Sequence, residues 1–228
     1  MSDTRTNAGL DSISVFSKMS SWHVPGERTI TILTAGNLAS TQTAIGLLDE
    51  RAKAPEDRQP SLLEAPSMFQ VARTVGETLR EAIGSASAIG EQAESAFSAS
   101  MIVGGQIGAS PPRLFMIYPE GNFIEASTDT PFFQIGETKY GKPILVRAFE
   151  PSMSFEAAVK LLLVSFDSTI KSNLGVGLPL DMQYYQTDAL DEGLRRRINA
   201  DDPYYQQISS GWGDALKAAF DQLPDYQD

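Results

Sequence analysis

The chain has 228 residues, 42% hydrophobic and 21% charged, enough for one large domain or two small ones with a sizeable core. Without cysteine there are no disulfides, no thiolate nucleophile and no cysteine-ligated metal, and one histidine, His23, excludes a histidine-rich zinc site; no cofactor is expected. A net charge of −11 argues against a nucleic-acid partner, which needs a basic face to displace counterions.

No apolar run approaches the roughly 20 residues that cross a bilayer, and the start lacks a charged-then-apolar secretory pattern. A cytoplasmic protein without a membrane partner is the expectation. No GxSxG elbow or Walker A loop occurs, and the GVG at 175–177 is not followed by the third glycine of a dinucleotide fingerprint.

The opening is small and polar, with Asp3-Thr4-Arg5 at its tip. Ile13, Val15 and Phe16 then run into Lys18, a lysine inside an apolar, strand-like stretch. Thr29 to Thr34 alternates at period two after the turn Val24-Pro25-Gly26-Glu27, which predicts a hairpin over 11–34. Ala35-Gly36-Asn37 ends that strand. Ser40 or Thr41 is expected to cap a helix running to about Lys53, and residues 54–66 read as a proline-punctuated surface connection.

Ser67 is expected to cap a second helix, with Met68, Val71, Ala72, Val75, Leu79 and Ile83 on one face. Period two returns over 98–128, where Gly121-Asn122 forms a tight turn, so an antiparallel meander is predicted. A short helix near 140–148 and a longer one from Ser154 to about Ser172 follow. Leu180 to Thr187 reads as a strand that ends the sheet. Arg195-Arg196-Arg197, flanked by aspartates and a glutamate, reads as a solvated or interface-pairing cluster. Asp202-Pro203 starts a last helix to about Gln222. Its Tyr204, Tyr205, Trp212, Leu216 and Phe220 either anchor an interface or dock on their own domain. Strands and helices in this order predict an α+β fold with sheets covered by helices.

Four ordered stretches carry a family likeness: SDTRTNAG (2–9), SKM (17–19), TAGN (34–37), and MIVGGQ (101–106) with LFMIYPEGNFIE (114–125). Together they resemble the proteasome β-subunits, the threonine-type branch of the N-terminal nucleophile (Ntn) hydrolases. Longer stretches, among them GNFIEAS and TPFFQIGETKYGKPIL, are similar to a bacterial branch of that family. The resemblance implies a four-layer αββα sandwich of two antiparallel sheets. It implies one such domain over 1–200, with 201–228 as its C-terminal helical extension.

It also implies a first strand carrying a nucleophilic N-terminal threonine. This chain begins at Met1 without that strand, so the expectation is a chain started or trimmed there. Ser2 as the nucleophile is the weaker option, because Ser2 and Asp3 are adjacent on one strand and point to opposite faces. By the resemblance, Asp3, Lys18 and Gly36 are the catalytic candidates: a carboxylate that fixes a lysine, the lysine, and an oxyanion-hole backbone N–H. Arg5, on the strand face of Asp3, is expected to pair with it in support.

Two departures stand out. Where the family has a Gly-Ser-Gly turn this chain has Gly136-Glu137-Thr138, and where it has Asp-Ser-x-Ser-Gly this chain has Lys171-Ser172-Asn173-Leu174-Gly175. Glu137 and Asn173 are therefore expected to rebuild the network around the amine. The implied function is a threonine peptidase subunit acting on a peptide or amide within a ring-like or open helical homo-oligomer. An Ntn amidase of another class and a non-catalytic scaffold subunit are the alternatives.

Overall fold

A computed structural model describes residues 1–7, 13–53, 60–89 and 94–227. The larger sheet is antiparallel and five-stranded, in the order β4 (Met19–Val24), β5 (Arg28–Gly36), β6 (Ala99–Ile107), β7 (Arg113–Ile117), β8 (Phe123–Glu125). It follows β1 (Ser2–Asp3), β2 (Arg5–Asn7) and β3 (Ile13–Val15). Alternation puts Ile30, Ile32, Met101, Val103, Phe115 and Ile117 on one face, where they are buried in a single core. α1 (Leu38–Lys53) and α2 (Met68–Ile89) supply that core's other wall through Ala44, Leu48, Val71, Val75 and Leu79.

The predicted stripe of α2 is buried from Met68 to Ile83, and Ser67 Oγ accepts from Gln70 N at 3.3 Å. α1 starts earlier than expected. Asn37 Oδ1, not Ser40 or Thr41, accepts from a first-turn amide, Ser40 N, at 3.0 Å, while Ser40 and Thr41 lie buried inside the helix. Lys18 lies just before β4 rather than within a strand.

The second sheet is β1-β9-β10, with β9 (Leu180–Tyr184) in its centre and β10 (Leu194–Ile198) antiparallel beside it. β9 therefore does not end the first sheet as the linear order suggested. The arginine run is a strand, missed because four of its five side chains are exposed and no apolar alternation marks it. Arg197 pairs with Asp181 across β9 at 2.7 Å, and Arg196 pairs with Asp202.

α3 (Lys142–Ala148) leads to α4 (Phe155–Ile170), whose cap Ser154 accepts from Ala157 N at 3.2 Å. Leu163 of α4 packs with Leu180, Met182 and Ile198 of the sheet and with Tyr205 of α5 (Pro203–Asp221). Asp202 caps α5 as predicted, accepting from Tyr205 N at 3.0 Å. α5 is tied to α4 by Trp212 Nε1 donating to Ser168 Oγ at 3.2 Å and by Tyr205 Oη donating to Asp167 Oδ1 at 3.3 Å. The two sheets touch through polar contacts, chiefly Thr31 Oγ1 donating to Gln183 Oε1 at 2.8 Å. Among the described residues no helix is long and apolar enough to cross a membrane.

Gly76 of α2 lies against the Gly121 turn so closely that a Cβ there would meet the Gly121 carbonyl. Alanine favours a helix interior by about 1 kcal/mol over glycine. Here the overlap wins, and Gly76→Ala is expected to destabilise by about 1–3 kcal/mol net. A lower urea midpoint is the expected result, and an unchanged or raised one contradicts this packing.

Candidate active site

Asp3 is positioned by short but specific strand pairing. Ser2 and Asp3 register with Asp181 and Leu180 of β9, and the buried Thr4 donates from Oγ1 to Pro179 O at 2.7 Å. The Asp3 side chain is thereby turned inward, and the residue is only 9% exposed. Lys18 reaches it from the start of β4: Phe16 N bonds Thr4 O at 2.8 Å, and Thr34 N bonds Lys18 O at 2.9 Å. Lys18 Nζ donates to Asp3 Oδ1 at 2.7 Å, and Asp3 Oδ2 accepts from Arg5 N at 3.2 Å and Gly177 N at 3.4 Å. A carboxylate taken from water needs such donors to offset its lost hydration.

Gly36 closes β5 opposite Ala99 with φ of +106°, a backbone setting suited to glycine, and a Cβ there would overlap the Ser98 carbonyl. Glu137 and Asn173, distant in sequence, meet: Asn173 Nδ2 donates to Glu137 Oε2 at 2.7 Å. The backbone N–H of Lys139, with the Asn173 amide in second place, holds the Glu137 carboxyl below its ordinary range, against the opposing effect of burial.

Asp3, Lys18, Gly36, Glu137 and Asn173 all line one cavity of about 490 Å³, together with Leu33, Ser165 and Thr169. Arg5 does not. Its expected side-chain pairing with Asp3 is not formed. The guanidinium instead turns to the 174–177 loop, where Nη1 donates to Leu174 O at 3.2 Å, and it lies against Gly177. Arg5 reaches the Asp3 carboxylate through its backbone amide and not through its side chain.

A second cavity of about 430 Å³ continues between the sheets and shares Met1, Leu33, Ile102 and Leu114 with the first. The Met1 amine is buried at their junction. Burial pushes it from 8.0 down to about 6, partly opposed by Asp181. Asp181 was not anticipated from the sequence. It receives Ser17 Oγ at 2.8 Å and a two-pronged Arg197 at 2.7 and 3.0 Å. Burial raises its pKa, but these hydrogen bonds outweigh burial and leave it lowered. An aspartate inside the apolar strand Leu180-Asp181-Met182 was the available signal.

Neither a family model nor a curated protein matches this chain. Solved structures match over its whole length. Anbu (ancestral β-subunit) from Yersinia bercovieri is 46% identical, with all of this chain and 94% of that chain covered and a TM-score of 0.91. Anbu from Hyphomicrobium sp. strain MC1 is 47% identical, with coverages of 100% and 94% and a TM-score of 0.89. The structure described as a helical assembly of the Anbu complex from Pseudomonas aeruginosa is 44% identical, with coverages of 100% and 92% and a TM-score of 0.91.

These relatives, on a fold of antiparallel sheets and flanking helices, define a proteasome-like β-subunit. The chain belongs to the Anbu family.

Two stability measurements follow from this geometry. Asp3→Asn and Lys18→Met are each expected to destabilise, and the double variant by less than their sum, with a coupling of about 1–3 kcal/mol. Additive effects in urea unfolding contradict a working ion pair. For Asp181, a lowered folded pKa means its contribution is present above the ordinary carboxylate range and lost as pH falls below about 4. Asp181→Asn should therefore flatten the acid limb of the stability–pH profile. Identical limbs would contradict this.

Proposed function

We propose that the chain is a proteasome-type threonine peptidase subunit on a four-layer αββα sandwich, residues 1–200 with 201–228 as their helical extension, working in the cytoplasm. The observation that carries this reading is the Asp3–Lys18 pair at 2.7 Å, opening into the cavity that Gly36, Glu137 and Asn173 also line. The nucleophile in this reading is the hydroxyl of an N-terminal threonine on a strand that pairs beside β1. Among the described residues β1 pairs with β9 on one edge only, and the cavity lies beside Ser2 and Asp3.

The threonine hydroxyl attacks the substrate carbonyl carbon, and its proton passes to the threonine α-amine, whose ordinary pKa of about 7.7–8.0 leaves a usable neutral fraction near pH 7. The Lys18 ammonium, held by Asp3, favours the reactive protonation states electrostatically. The Gly36 N–H donates to the oxyanion. The leaving amine takes the proton from the α-amine, leaving an ester, which water cleaves to free the acid and restore the hydroxyl. Glu137 and Asn173 orient the amine. Arg5 pins the 174–177 loop.

Protein extended by a strand beginning with threonine is expected to hydrolyse fluorogenic peptides, and Lys18→Met to lower turnover by at least about a hundredfold. Turnover of small amides alone would instead identify an amidase of another class. No turnover on either would leave a scaffold subunit.

We further infer self-assembly into a ring-like or open helical homo-oligomer, in line with the helical assembly described for the Pseudomonas aeruginosa relative. The apolar stripe of α5 supports this. Its first half docks on α4 through Tyr205 and Trp212, but Leu216, Phe220 and Leu223 continue the stripe into solvent, Phe220 being 73% exposed. Light scattering after gel filtration should show assemblies that shrink in a Phe220→Ser/Leu223→Ser variant. A monomeric parent protein would refute this.

A further inference from the structure

We propose that Asp181 is a positioning residue for Lys18, acting through the Ser17 hydroxyl, and that Arg197 holds Asp181 in that role. This role rests on the peptidase reading above, in which none of the three touches the reacting atoms. They act by fixing the point from which the Lys18 side chain starts. Lys18 lies in the link between β3 and β4. A lysine stem is long and flexible, so its ammonium stays in one place only if its backbone does.

That backbone is held from two sides. The Lys18 carbonyl accepts from Thr34 N at 2.9 Å. The Ser17 hydroxyl closes a turn over Lys18, its Oγ accepting from Met19 N at 3.4 Å. The same hydroxyl has a single proton to give and two acceptors in reach, Asp181 Oδ2 at 2.8 Å and Met19 O at 3.1 Å. The shorter bond to a charged acceptor wins, so the turn is anchored on β9.

Both ends of the lysine are thereby referred to one strand. β9 carries Asp181, and through the register of Asp3 with Leu180 it also places the carboxylate that receives Lys18 Nζ at 2.7 Å. The Ser17–Asp181 bond ties the two sheets together beside that contact, so a shift of one sheet against the other strains both. Asp181 is costly where it stands: it is buried, and its neighbours Leu180 and Met182 belong to an apolar core. Arg197 keeps it ionised through both oxygens, at 2.7 and 3.0 Å, and still leaves Oδ2 able to take Ser17. With the Arg197 side chain half-exposed, that ion pair alone stabilises little. Holding Ser17 is what the buried carboxylate adds.

The role can be tested without turnover. The coupling between Asp3→Asn and Lys18→Met in urea unfolding is measured in the parent protein and again in Ser17→Ala, a change at an exposed position. Ser17→Ala is expected to remove at least about half of the coupling, and Ser17→Thr, which keeps the hydroxyl, to retain it. In the protein extended by a strand beginning with threonine, Ser17→Ala and Asp181→Ala are each expected to lower kcat about tenfold with KM changed by less than about twofold. Ser17→Thr restores kcat, and Ser17→Ala/Asp181→Ala turns over no more slowly than the slower single variant, because the two act as one unit.

The two readings fail separately. An unchanged coupling in Ser17→Ala overturns the positioning role, whether or not the extended protein is active. In an active extended protein, an unaltered kcat in Ser17→Ala, or losses that multiply in the double variant, overturns the role and leaves the peptidase standing. A reduced coupling with no turnover in the extended protein overturns the peptidase and supports Asp181 and Ser17 as the residues that place Lys18.

Discussion

The Asp3 carboxylate, nearly out of contact with water, is held by three donors from three different places: the Lys18 ammonium, the Arg5 amide and the Gly177 amide. A carboxylate so buried keeps its charge only if those donors stay in place, so the surrounding backbone is constrained by it. β1 must register with β9, Thr4 must reach Pro179, and the segment before β4 must run close enough for Lys18 to span the gap. Gly177 belongs to the same constraint from the other side: it offers its amide to Asp3 and, lacking a Cβ, admits the Arg5 guanidinium. One carboxylate thus ties the start of the chain to the loop between α4 and β9.

Around this pair the molecule is hollow rather than packed. The face of the large sheet turned toward α1 and α2 is a closed apolar core, whereas its opposite face meets the small sheet largely through hydroxyls and Gln183. Cavities of about 490 and 430 Å³ remain between the two, and a third of about 570 Å³ lies against the first turn of α1. Open volume next to paired charges and a strand-ending glycine is what chemistry on a bound carbonyl requires: room for substrate, low local dielectric and fixed donors. The apolar core on the far side keeps the donors fixed.

Local signals were legible. The stripe of α2, the Ser154 and Asp202 caps, proline at the start of α5 and the turn at Gly121 all follow from interactions within a few residues, which a sequence displays directly. β10 was not legible, because its arginines are stabilised by Asp181 and Asp202, partners supplied by neighbouring elements rather than by an apolar face. The cap of α1 went to Asn37 rather than Ser40, since the pairing of Gly36 with Ala99 sets where β5 ends and so where the helix begins. Arg5 sits in the right motif beside Asp3, yet its side chain turns away. Alternation along a strand cannot show that a loop some 170 residues later offers a carbonyl and a bare glycine.

The sequence by itself determined the family likeness, the α+β class and the candidates Asp3, Lys18, Gly36, Glu137 and Asn173, because motif order and short-range periodicity are properties of the linear chain. Only the tertiary structure decided that β9 leaves the large sheet for a second one, that Asp181 is held by Ser17 and Arg197, and that the five candidates border one cavity while Arg5 borders another. Those outcomes depend on long-range pairing and on where volume is left empty. A one-dimensional pattern does not encode empty volume, since it arises from how separately specified elements fit against one another.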